Sequence, residues 1–190
     1  MKEYLNQYTA ALQEAMRNFD ESRFSKAVAI LAGAYREDKQ VFIAGNGGSA
    51  GTANHFACDF GKNAVPQSGK RRFRIISLSD NVEKITAFGN DIAFEEIFRQ
   101  QLINLMNEGD VLMVISASGN SPDIVRACEY AREKNARVIA LAGFSGGKIK
   151  DFADAALVAP LESYEQIEDI HLIMLHMLVY YFKNHGELLD

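Results

Sequence analysis

Two hydrophobic rhythms alternate along the chain. Tyr4, Leu5, Tyr8, Leu12, Met16 and Phe19 recur at helical spacing, and Phe24, Ala27, Val28, Leu31 and Tyr35 do so again after Ser22, which is read as an N-cap. Short apolar runs follow: QVFIAG at 40–45, FRIISL at 73–78, VLMVIS at 111–116, RVIALAG at 137–143 and AALVAP at 155–160. Helical patterns fill the gaps between them, clearest over 49–62, 93–106 and 122–134. Strands that are apolar throughout and separated by helices predict an α/β fold, a parallel sheet covered on both faces. The two leading helices are additional to that unit.

The end of the chain breaks the pattern. From Ile170 to Phe182 the sequence IHLIMLHMLVYYF is apolar almost all round. A helix apolar on every face must be buried on every face, and a chain of 190 residues has little room for that at its C-terminus. Together with the amphipathic first helices, this predicts a helical interface between subunits. The alternative is a helix packed only on the sheet.

Composition narrows the class. A length of 190 residues at 48% hydrophobic can bury one good core. We therefore expect one domain over 1–190, with helices at 1–37 serving an oligomer and an α/β core with the last helix at 38–190. A net charge of −5 argues against a nucleic-acid binder, which would show a basic footprint. No run reaches the roughly 18 apolar residues of a membrane span, and the N-terminus lacks the apolar core of a signal peptide. Cys58 and Cys128 sit inside apolar helical patterns, as reduced, buried thiols of a cytoplasmic protein would.

The chemistry gathers at two strand-to-helix turns. The first, GNGGSA, carries Gly45, Asn46, Gly47, Gly48, Ser49 and Ala50. It matches G-x-G-x-x-A, yet the acidic residue expected about 20 positions on is missing, and no Lys-Ser/Thr pair follows as a P-loop requires. What remains is a helix capped by Ser49, with glycines that let backbone N–H groups approach an anion. The second turn, SASGNSPD, carries Ser116, Ser118, Gly119, Asn120 and Ser121 before Pro122 and Asp123. Ser121 is a good N-cap and Pro122 suits the first helical position. Three hydroxyls and free helix N–H groups form a cup for a phosphate monoester, with no lysine or arginine in it.

GNGGSA…HFA followed by ISASGNS resembles the sugar isomerase (SIS) family and, within it, the bacterial phosphoheptose isomerases. AFGND at 87–91, LAGFSGGK at 141–148 and QIEDIHLIMLH at 166–176 extend the resemblance over nearly the whole chain. It implies a five-stranded parallel sheet in a three-layer, flavodoxin-like sandwich with extra N-terminal helices. It implies a homotetramer with active sites shared between subunits, and no nucleic-acid or membrane partner. It also implies that Ser116, Ser118 and Ser121 hold the sugar phosphate with Asn120, that Asn46 and Ser49 reach the sugar beside Gly47 and Gly48, and that Asn90 and Asp91 of AFGND belong to the substrate site.

The same resemblance assigns the acid–base groups. His55 and Asp59, four residues apart, share a helix face. In the family the carboxylate at the position of Asp59 is the proposed base, the histidine at the position of His176 is the acid, and both histidines share a zinc ion with that carboxylate and a fourth residue, here Glu168. Two positions depart from the family pattern. Asp59 stands where glutamate is usual and Glu168 where glutamine is usual, so either carboxylate can be the base. His171 falls on a different face and reads as a core residue, and His185 as an exposed one at the helix end. The implied reaction is aldose–ketose isomerisation of sedoheptulose 7-phosphate to D-glycero-D-manno-heptose 7-phosphate through an enediol, with no nucleotide cofactor. Two other readings stay open: a non-catalytic SIS protein that binds the replication initiator or senses sugar phosphates, and an isomerase of another phosphosugar.

Overall fold

The computed structural model describes residues 1–65 and 70–190. Two helices, α1 (Lys2–Arg17) and α2 (Glu21–Arg36), lead into β1 (Gln40–Gly45), α3 (Gly48–Asn63), β2 (Arg74–Ser77) and α4 (Val82–Asp91). Then come α5 (Ile97–Leu105), β3 (Val111–Ser116), α6 (Pro122–Glu133), β4 (Arg137–Gly143), α7 (Ile149–Phe152), β5 (Ala155–Ala159) and α8 (Tyr164–Asn184). The five strands lie in the order β2-β1-β3-β4-β5, all parallel. The expected five-stranded sheet between helices is therefore present.

The central strands are apolar throughout because both of their faces are covered. Val41, Ile43, Val111, Met113, Ile115, Ile139 and Leu141 point into a core shared with α2, α3 and α8. Their neighbours Phe42, Ala44, Leu112, Val114, Val138 and Ala140 point into a second core with α5 and α6. Side chains of a strand alternate between faces, so a continuous apolar run feeds both cores. At the edge, β2 leaves Ile76 38% exposed; its expected flanks Phe73 and Leu78 are buried and lie outside the strand, although Leu78 N–H still donates to Ile43 O at 2.8 Å.

Several local expectations are corrected. The N-cap of α2 is Asp20, whose carboxylate accepts from the Ser22 and Arg23 N–H groups; Ser22 instead donates its hydroxyl to Asp20. The α3 helix begins one residue before Ser49, with Gly47 at its N-cap in the left-handed region (φ 53°). Only glycine enters that region cheaply, so the turn is made by backbone freedom rather than by a serine cap. The expected helix over 93–106 is a short 3-10 turn at Phe94–Glu96 followed by α5. The α4 helix was not expected. It starts at an Asn81 cap and buries no residue fully; its short stripe of Ile85 and Phe88 packs only partly against the second core. Cys128 is buried, and burial pushes its thiol up to about 12. Cys58, expected to be buried, faces solvent, because the core positions of α3 are Ala53, Phe56 and Phe60 and Cys58 falls between them.

The last helix is longer than its apolar run and is not buried all round. Ile170, His171, Met174, Leu175, Leu178 and Phe182 are buried, whereas Ile173, Met177, Tyr180 and Tyr181 remain exposed. His185, at the end of α8, is half-exposed and lies edge-on to Tyr181, ring centroids 4.2 Å apart. The α1 helix crosses α8 through a polar clamp. The Tyr8 hydroxyl donates to Asp169 at 2.7 Å, and that bond, with burial second, pushes its pKa up to about 12.

Candidate active site

In an open parallel sheet ligands bind beyond the carboxyl ends of the strands, where neighbouring connections diverge. With the order β2-β1-β3-β4-β5, that point lies between β1 and β3. The loops leaving these two strands are the two turns singled out in the sequence.

The β3 loop is built tightly. Gly119 adopts φ 65°, and a Cβ there would lie 2.2 Å from the Gly146 carbonyl oxygen. Gly147, at φ 56°, would likewise drive a Cβ to 2.4 Å from the Ser118 carbonyl oxygen. The segment 143–149 thus lies against the serine loop, backbone to backbone, and Ile149 N–H donates to Gly119 O at 3.1 Å. Ser116 and Ser121 place their hydroxyl oxygens 3.3 Å apart, and Pro122 opens α6 just beyond. Ser121 occupies the N-cap but makes no side-chain cap bond, so its hydroxyl meets that of Ser116, while the Asp123 and Ile124 N–H groups of the first turn point to the Asp123 carboxylate. Asn120 is placed differently from its neighbours. Its amide donates to Ser118 O at 2.8 Å and accepts from Lys148 N–H at 3.1 Å, so it braces the loop.

The β1 loop has another kind of neighbour. A Cβ on Gly48 would lie 2.5 Å from Oε2 and 3.1 Å from Oε1 of Glu168. The carboxylate of Glu168, from α8, therefore rests on the first residue of α3. A helix N-terminus favours negative charge, and here the protein's own side chain supplies it. Ser49 is 6% exposed. Gly45 permits the close approach of helix to strand, since its Cβ would meet Ser49 O at 2.7 Å.

Seven residues along α3, roughly 10 Å at 1.5 Å rise, three ligand atoms converge. His55 Nε2 lies 3.2 Å from Asp59 Oδ2, His176 Nε2 lies 3.3 Å from His55 Nε2, and His176 Nε2 lies 3.8 Å from Asp59 Oδ2. Among the described residues these three form the group that could hold a metal ion. Donor atoms at the bond lengths of tetrahedral zinc stand about 3.3–3.6 Å from one another; two edges of the triangle lie near that spacing and the third, His176 to Asp59 at 3.8 Å, is slightly longer. Two neutral imidazoles and one carboxylate are also the right donor types. Each side chain is a third to a half exposed, so the fourth direction is open. Glu168 is not among the convergent atoms; its carboxylate is held at Gly48 instead.

Asn90 and Asp91 lie at the exposed end of α4 and bond to each other at 2.8 Å; no hydrogen bond joins them to the other candidates. His171 is fully buried. Among the described residues neither ring nitrogen has a hydrogen-bond partner. Burial lowers its pKa, the adjacent Ala142 backbone opposing that effect. The residue that sequence reasoning passed over is Asp123, 2% exposed, whose Oδ2 accepts from Asn46 Nδ2 at 2.7 Å. In the sequence it reads only as an acidic residue in a helix first turn; its partner lies 77 positions away.

Comparison with known proteins bears on the family and the fold. The SIS domain family profile matches residues 3–143. A phosphoheptose isomerase of Helicobacter pylori (strain P12) is 35% identical over 178 residues, covering 93% of this chain and 90% of its own. The solved structure of a phosphoheptose isomerase from Francisella tularensis superposes with a TM-score of 0.88 at 28% identity, over 96% of both chains. That of the phosphoheptose isomerase from Neisseria gonorrhoeae gives 0.86 at 30% identity, again over 96% of both. Sheet order, loop geometry and this likeness lead to one placement: the chain belongs to the SIS domain family and, within it, to the phosphoheptose isomerases.

Proposed function

We propose that this chain interconverts sedoheptulose 7-phosphate and D-glycero-D-manno-heptose 7-phosphate. The observation that carries the reading is the pairing of an open serine cup at the start of α6 with a His55–Asp59–His176 cluster in the groove of α3 and α8. The cup takes the phosphate, and the cluster takes the carbonyl end. Asn46 and Ser49, between them, reach the sugar hydroxyls, and Asn90 and Asp91 join the substrate site from their exposed helix end.

The chemistry is a proton shift. A carboxylate removes a proton from C1 of the ketose while an acid protonates the C2 carbonyl oxygen, giving the enediol. The C1 hydroxyl then returns its proton to the enzyme as C2 takes one, and C1 becomes the aldehyde. Nothing is oxidised or reduced overall, so no nucleotide cofactor is required. His176 is the acid, and Asp59 and Glu168 are the two carboxylates placed to act as base. His55, Asp59 and His176 would hold one zinc ion, with Glu168 as a possible fourth ligand only after moving off Gly48. When bound, zinc would polarise the carbonyl oxygen.

The assembly follows from what one chain leaves uncovered. Phe24, Ile173, Met177, Tyr180 and Tyr181 line a hollow together with His176. A homotetramer built on this helical face would close the hollow and bring neighbouring subunits to the active site. We read 1–190 as one SIS domain and place it in the cytoplasm, which suits its free cysteines. No described helix is long and apolar enough to cross a membrane.

Purified protein incubated with sedoheptulose 7-phosphate and followed by NMR tests the reading. The expected result is an aldose 7-phosphate signal growing to equilibrium. An unchanged spectrum, with turnover of another phosphosugar or of none, contradicts it.

A further inference from the structure

The two helix starts are joined by one contact that the proton shift does not use. Asn46 follows β1; Asp123 stands in the first turn of α6, beside the serine cup. The 2.7 Å bond between them spans the gap where the β1 and β3 connections part. Burial pushes the Asp123 pKa up, opposed by the Asn46 amide and by N–H groups of its own helix start. A carboxylate kept nine-tenths out of water needs such partners.

An ionised carboxylate only accepts hydrogen bonds, whereas an asparagine amide has one donating end and one accepting end. Facing Asp123, the Asn46 amide must present its NH2 group, and this fixes the orientation of the whole planar group. Its Oδ1 has no partner among the described residues, so the free end at the β1 loop is an acceptor.

We propose that Asp123 is a positioning residue: it fixes which end of the Asn46 amide meets the substrate, so that the site selects a sugar hydroxyl able to donate there. The proposal rests on the reading of Asn46 as a sugar contact. Because Asp123 belongs to the helix that receives the phosphate, the same bond also sets the distance between that hydroxyl contact and the phosphate.

Steady-state kinetics with sedoheptulose 7-phosphate test it in four variants. Asp123→Ala should lower kcat/KM by about 10–100-fold, the scale of a misplaced substrate contact. Asp123→Asn, which keeps an acceptor oxygen in place, should recover most of that loss. Asn46→Ala combined with Asp123→Ala should be no worse than Asn46→Ala alone, since a residue acting only through its partner adds nothing once the partner is gone. Asp123→Ser, too short to reach Asn46 but at home in a helix first turn, replaces the alanine variant should that fail to fold. A second readout needs no turnover. In the wild type one side-chain N–H of Asn46 should be shifted downfield and slow to exchange in NMR, and both features should vanish in Asp123→Ala. If the wild type does not act on this sugar, the functional reading fails, and the Asn46 signals still decide the positioning. Unchanged Asn46 signals in Asp123→Ala overturn the proposal, as do losses that multiply in the double variant.

Discussion

The starts of α3 and α6 look alike in sequence and differ in the folded chain. Both follow a central strand, and both combine glycine with serine before a helix. At α6 the Ser116 and Ser121 hydroxyls bond each other, and the helix's own Asp123 takes the first-turn N–H groups, so the serine loop carries no carboxylate from another element. At α3 the carboxylate of Glu168 rests on Gly48. A glycine-rich turn is thus a place where an anion can approach, and the rest of the fold decides whether that anion is a ligand or a side chain. In this chain the division separates binding from chemistry. On the proposed reading the phosphate belongs to α6, and the acid–base groups belong to α3 and α8.

Four substitutions press on that division. The largest effect is expected on the α3/α8 side. His176→Gln should keep the fold by circular dichroism and lose about 10²–10⁴-fold in turnover, the scale of one general acid. Asp59→Asn and Glu168→Gln, assayed beside it, identify the base as the carboxylate whose loss is as severe. A turnover near that of the wild type in His176→Gln would remove the chemistry from this groove. On the α6 side, Ser118→Ala should raise KM by the equivalent of ~1–2 kcal/mol while kcat stays close to wild type, because one hydrogen bond to a charged group is lost. An unchanged KM would count against the cup.

A smaller effect tests what fills the α3 start. Gly48→Ala should push the Glu168 carboxylate aside and lower kcat/KM by ~1 kcal/mol, within the range of coupling between touching residues. In a Glu168→Ala background the same change should do almost nothing. Equal losses in both backgrounds would mean that Glu168 does not depend on Gly48.

The smallest effect belongs to His171. Burial lowers its pKa from 6.5, so the folded protein holds it neutral where the unfolded chain is protonated. The unfolded state then binds more protons below about pH 6.5, and stability falls as pH drops through that region. From pH 7 to pH 6 the loss from one such group is up to about 0.7 kcal/mol. Denaturant titrations of His171→Leu should show that part of the slope removed and the stability at pH 7 raised. An identical slope in both proteins would assign it to other groups.

Much of the architecture was legible because it rests on periodicity. The runs at 40–45, 111–116 and 137–143 are strands with the expected bounds, since a strand buried on both faces has no polar position to blur its ends. Elements that bury little were hard to read. The α4 helix is short and only partly buries Ile85 and Phe88, and β2 is a short edge strand. The site was legible where chemistry follows local spacing, as for His55 with Asp59. It was not legible where the chain had to fold first. The separation of Glu168 from the cluster, the loop-bracing role of Asn120 and the Asn46–Asp123 bond all depend on partners distant in sequence. Ser49 shows how a residue type misleads: serine beside a helix start suggests a cap, but a left-handed Gly47 already turns the chain.

The division between the two helix starts is tested most directly by a crystal structure of the protein with sedoheptulose 7-phosphate bound. The phosphate is predicted to lie within hydrogen-bond reach of the Ser116, Ser118 and Ser121 hydroxyls, with the carbonyl end directed toward His55, Asp59 and His176. A phosphate seated on the Gly47–Ala50 turn, with Glu168 displaced from Gly48, would contradict the account.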